Sequence, residues 1–160
     1  MTRQDDGAAS SNAGDPEESG TLLATTFYLH DALCALDASL VEEVVRLRRT
    51  TPVPHAPEYL LGVMNLRGKI VSVIDLARKL ELGAAEPGEK SRVYIVRDRS
   101  ELVGLLVDCA AEVIEFDAAG LEPPPANVRG VEGRFLRGVA RAGGRLAAVL
   151  DADAVLASES

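Results

Sequence analysis

Residues 54–76 read PHAPEYLLGVMNLRGKIVSVIDL, and the fold is decided here. Pro52, Pro54 and Pro57 fix φ and remove backbone donors, so residues 51–57 cannot form regular structure. Glu58-Tyr59-Leu60 reads as the start of a short helical turn. Two apolar runs follow, Gly62-Val63-Met64-Asn65-Leu66 and Ile70-Val71-Ser72-Val73-Ile74, and each reads as a strand. Arg67-Gly68-Lys69 joins them, with Gly68 supplying the positive φ of a tight connection. Asp75 stands where a helix N-cap belongs, ahead of Leu76-Ala77-Arg78-Lys79-Leu80.

The same unit recurs. Laid without gaps on residues 135–156, residues 59–80 put Leu60 on Leu136, Gly62 on Gly138 and Gly68 on Gly144. Val73 falls on Val149, Asp75 on Asp151 and Leu80 on Leu156. Turn glycine and capping aspartate land in register. Each unit offers one apolar sheet face that needs a cover, so two packed together make a plausible body.

Working outward, Leu22 to Leu29 and Leu33 to Leu36 read as strands around a turn at His30-Asp31. Residues 41–47 are ambiguous by period, and a turn of helix followed by a strand is favoured. Residues 84–90 are a linker. Val93 to Val96 and Leu102 to Val107 form a hairpin, Glu112 to Phe116 a further strand, and Leu136 to Ala140 with Leu146 to Leu150 a last hairpin turned at Gly143-Gly144. The Pro123–Gly133 loop has no assigned structure. Residues 1–20 carry almost nothing apolar and read as a disordered acidic leader. Many short strands at close spacing point to an all-β fold of small barrels.

The chain has 160 residues, 47% hydrophobic, 4% aromatic, with a formal net charge of -8. An acidic, aromatic-poor surface disfavours nucleic acid and anionic membranes. No run of 18 apolar residues exists and the N-terminus lacks a signal-peptide core, so a cytoplasmic protein is expected. Cys34 and Cys109 read as small buried hydrophobes. With only His30 and His55 available, no metal motif forms.

Little reads as catalytic. No nucleophile lies beside a base, and no phosphate or dinucleotide fingerprint occurs. Asp75, Asp108 and Asp151 each follow an apolar strand. They read as helix or turn caps, with an acid/base pair of Asp75 and Asp108 as the enzymatic alternative. Glu42-Glu43 reads as a solvated face, with a metal pair or a partner contact as alternatives. Arg67, at a hairpin tip, is either simply solvated or an interface anchor whose planar fork pairs with carboxylates.

Residues 54–76 resemble the signature of the CheW family, in which a proline segment leads into Gly-Val-x-Asn-Leu-Arg-Gly and an apolar strand ending in Asp-Leu. Residues 103–108 with Val113, and Phe135-Leu136-Arg137-Gly138-Val139 through Asp151, are similar to its later motifs. The resemblance covers about Thr21 to Leu156. It implies a CheW-like domain over 21–157 made of two packed five-stranded SH3-like β-barrels with short helices. It also implies a non-catalytic adaptor, without cofactor, that couples chemoreceptors to a CheA-type histidine kinase. The implied partners are the kinase's regulatory domain and the cytoplasmic tip of a methyl-accepting chemoreceptor, with recruitment to membrane-associated arrays. Carried over by position, Arg67, Glu43 and Asn65 are implied in receptor binding, and Val41 and Gly62 in kinase binding. Arg137 stands where relatives commonly carry smaller or polar residues. A receiver domain, as in CheV-like proteins, would need a longer chain.

Overall fold

The hairpin that anchors the sequence reading pairs β4 (Leu60–Leu66) with β5 (Lys69–Asp75) through Leu66↔Lys69, with a bulge between Leu60 and Gly62. Arg67 (φ 51) and Gly68 (φ 85) form its two-residue turn. Both occupy the left-handed region, whose twist matches the strands. The computed structural model describes residues 20–157; the expected leader lies outside the described residues, apart from Gly20.

Two five-stranded sheets contain this hairpin and its repeat. The first runs β3 (Val41–Val45), β6 (Arg92–Asp98), β7 (Glu101–Val107), β5, β4. The second runs β8 (Cys109–Asp117), β1 (Thr21–Leu29), β2 (Ala32–Asp37), β12 (Arg145–Leu150), β11 (Leu136–Ala142). Their patterns correspond strand for strand. In each, one hairpin joins the other by a single parallel pairing, β5 with β7 and β12 with β2. The second sheet is thus a permuted copy, because the N-terminal strands β1 and β2 complete a unit otherwise built from the C-terminal half. Each sheet curls until its ends meet. Thr51 beyond β3 bridges Val63 on β4, and Glu122 beyond β8 bridges Val139 on β11.

The central strands are buried on both faces, and their alternation divides the core in three. On β6, Val93 and Ile95 fill the first barrel with Met64, Leu66, Val71 and Val73. On β2, Leu33 and Ala35 fill the second with Ala24, Ala140, Ala147 and Val149. The intervening side chains Tyr94, Val96, Cys34 and Leu36 meet between the barrels, with Phe27 and Leu105. There the Phe27 and Tyr94 rings lie 5.1 Å apart at 50°, and the Tyr94 hydroxyl donates to Thr26 O at 3.3 Å. Burial pushes that phenol's pKa up. Fully burying one such side chain contributes about 1.5–3 kcal/mol, so this shared core holds the barrels as one body.

Both Asp caps form: Asp75 accepts from Arg78 N ahead of α1 (Leu76–Lys79), and Asp151 from Ala154 N ahead of α2 (Ala152–Leu156), each at 3.2 Å. The ambiguous segment resolves into a 3₁₀ turn, Ala38–Leu40, capped by Asp37, then β3. Two expectations need correction. Residues 58–60 make no helix: Leu60 N bonds Pro57 O in a turn, because Leu60 is already the first residue of β4. The 123–133 loop holds a small hairpin, β9 (Asn127–Val128) with β10 (Val131–Glu132).

Candidate functional site

Asn65, Arg67 and Glu43 come together at one rim of the first barrel. The curl of the sheet sets the β4–β5 tip over β3, and Arg67 Nη2 donates to Glu43 Oε1. Arg67 keeps 64% of its side chain exposed and Glu43 34%, so the pair contributes at most about 1 kcal/mol to stability. Asn65 Oδ1 accepts from Gly68 N at 3.0 Å and pins the turn. An arginine at positive φ costs about 1–2 kcal/mol; the Asn65 bond offsets roughly 1 kcal/mol of that. A guanidinium is thereby held outward on a stiff tip, already facing one carboxylate and able to take another.

Val41 and Gly62 do not present themselves in the same way. Val41 pairs with Val96 and packs against the shared core. Gly62 is buried at φ 149, and a Cβ there would lie 2.5 Å from the Thr51 carbonyl oxygen. Its lack of a side chain is what lets the first barrel close. Glu42, the other acid of the pair, is held by Arg97, whose Nε donates to Oε2 at 2.8 Å. That guanidinium holds the Glu42 carboxyl below its ordinary pKa.

An open cleft of about 940 Å³ lies between the barrels, lined by Leu40, Val96, Arg97, Arg137 and Leu156, with the β6–β7 turn at Asp98–Glu101. The cleft carries both signs of charge, because the β6–β7 turn, the start of β11 and the cap of α2 converge on it. Arg137 lies 4.0 Å from Asp37 across its edge.

The carboxylates considered for chemistry are committed to backbone. Asp75 accepts from Arg78 N at 3.2 Å and Ala85 N at 2.9 Å, one amide per oxygen. Asp108 Oδ2 accepts from His30 N across the β1–β2 turn. Among the described residues no group of three or more His, Cys, Asp or Glu could hold a metal ion, and no helix is long and apolar enough to cross a membrane.

One feature escaped the sequence reading. Asn127-Val128-Arg129-Gly130 repeats the tip Asn65-Leu66-Arg67-Gly68 in residue type and in geometry. Arg129 (φ 52) and Gly130 (φ 95) take the same turn. Asn127 Oδ1 accepts from Gly130 N at 2.9 Å, and Arg129 Nη1 faces Asp31 at 3.7 Å. The Asn-x-Arg-Gly spacing was the available signal.

Comparison with known proteins gives one consistent answer. The model of the CheW-like domain matches residues 24–160. Chemotaxis protein CheW of Rhizobium meliloti (strain 1021) is 33% identical over 133 residues, 83% of this chain and 86% of the relative. That of Bacillus subtilis (strain 168) is 32% identical over 126 residues, 79% and 81%. Protein FrzA of Myxococcus xanthus is 29% identical over 77% of this chain and 76% of its own length. The crystal structure of scaffolding protein TtCheW from Thermoanaerobacter tengcongensis superposes with a TM-score of 0.74, at 35% identity over 81% of this chain and 84% of that one.

Proposed function

The chain belongs to the CheW-like family, and from that premise we propose that it is a non-catalytic adaptor coupling chemoreceptors to a CheA-type histidine kinase. The observation that carries this reading is the exposed Arg67, held on a tight turn by Asn65 and partnered by Glu43. These three residues contact the cytoplasmic tip of a methyl-accepting receptor. The kinase's regulatory domain, itself CheW-like, is held on the side of the first barrel that Val41 and Gly62 shape from within, through β3 and the closure at Thr51. The binding body is residues 21–157.

The work done is mass action. Holding receptor and kinase at once converts their meeting into an intramolecular event with a high effective concentration. Signal passes because the contacts differ between receptor states, and no bond is made or broken in the adaptor. Recruitment to membrane-associated arrays follows from binding the receptors.

Co-sedimentation with receptor-bearing membranes tests this. The wild-type chain carries the kinase into the pellet. Arg67→Ala leaves kinase binding in solution intact and weakens receptor binding about tenfold, as expected for an interface anchor. Full receptor binding by folded Arg67→Ala would refute the assignment.

A further inference from the structure

The first barrel is stitched shut at one point. Thr51 and Val63 exchange both backbone bonds, at 2.8 and 2.9 Å. Antiparallel geometry would place the next such pair at Arg49 and Asn65, yet no backbone bond joins them. Because Val63 turns its amide and carbonyl toward Thr51, Asn65, two residues on, turns its own toward the same open edge. A cavity of about 360 Å³ fills this gap, walled by Arg48, Arg49 and Thr51 on one side and Met64, Asn65 and Ile70 on the other. Ile70 is 63% exposed at its rim.

The charge here is opposite to that of the chain. Arg46, Arg48 and Arg49 follow β3, and among the described residues no carboxylate pairs with them. The nearest acids along the strand, Glu42 and Glu43, are taken by Arg97 and Arg67. Two of these arginines, Arg48 and Arg49, on a chain of net charge -8, border an unsatisfied strand edge beside the exposed Ile70.

We propose that this slot accepts an extended, acidic segment of a partner protein as an added strand. The segment's backbone bonds the free amide and carbonyl of Asn65. Its carboxylates meet Arg48 and Arg49, and an apolar side chain on the outer face rests on Ile70, which shares that face with Asn65. The slot borders both contacts proposed above, since Thr51 closes the barrel on the side given to the kinase and Asn65 pins the receptor-facing turn; it differs from them in using the backbone of Asn65, and neither the Arg67 guanidinium nor Val41.

The test is fluorescence anisotropy of the full chain with a labelled octapeptide alternating Glu and Val, beside the same peptide N-methylated at every backbone nitrogen. The two peptides carry equal charge, and only one can pair as a strand. Binding should weaken at least about tenfold on N-methylation, and likewise in an Arg48→Glu/Arg49→Glu variant whose unfolding midpoint is unchanged. Should that variant not fold, Ile70→Lys serves in its place, with the same expectation. Amide shifts on peptide addition should centre on Asn65. Equal affinity for both peptides, an unaffected variant or no binding would overturn the proposal. So would binding that emerges only after residues 1–19 are removed, since the slot would then belong to the chain's own acidic segment.

Discussion

The β4–β5 and β11–β12 hairpins are two renderings of one unit, alike in how they close their barrels and different at the tip. Both are bulged one residue into the pairing, at Leu60/Gly62 and Leu136/Gly138. Both bring a glycine against the closing segment: a Cβ would meet Thr51 O at 2.5 Å from Gly62 and Glu122 O at 2.4 Å from Gly138. Both end in an aspartate whose own amide bonds back at 2.8 Å, Asp75 to Tyr59 O and Asp151 to Phe135 O. Barrel closure and helix capping leave these positions no freedom. The tips do differ, Arg67-Gly68 against Gly143-Gly144, although the turn is the same, with φ 51 and 85 in one and 57 and 81 in the other. Glycine is the relaxed choice there, so the strained arginine in the first copy serves something other than the turn.

The largest effect falls on the shared closure. Gly62→Ala and Gly138→Ala should each cost about 2–4 kcal/mol in denaturant unfolding, since the obstructing atom is backbone and cannot swing aside. A loss below about 1 kcal/mol at either site would show that the barrels tolerate opening there.

Next come the caps, where the copies diverge. Asp75→Ala strips two amides and should cost about 2–3 kcal/mol, whereas Asp151→Ala strips one side-chain bond and should cost about 1 kcal/mol. Equal losses would argue that the Ala85 bond contributes nothing.

A smaller effect uses the second barrel's cysteine as a reporter. Burial pushes the Cys34 thiol up to about 12, so at pH 8 it should resist alkylation while half-buried Cys109 reacts. Gly138→Ala should speed Cys34 labelling more than Gly62→Ala does, because Cys34 lies on a strand of the second barrel. The reverse order would mean the barrels do not open separately.

The hairpin, its repeat and both caps were legible because each depends on neighbours in sequence: a glycine in a tight turn, an aspartate before a helix. Sheet membership was not. That β1 and β2 belong to the C-terminal barrel is settled by the pairing of Cys34 with Ala148 and of Ala35 with Val149, which no local pattern encodes. The β9–β10 hairpin was hidden because strands of two residues carry no period. At the site, Arg67 stood out by its place at a tip. The structural work of Gly62 did not, since its constraint comes from Thr51 across the barrel.

The most direct measurement gives the first tip the glycine of the second. Arg67→Gly should hold or slightly raise the unfolding midpoint, leave kinase binding unchanged, and cut receptor-dependent kinase activation at least about tenfold in reconstituted membranes. Full activation by a folded Arg67→Gly protein would contradict the claim that this arginine is kept for the receptor.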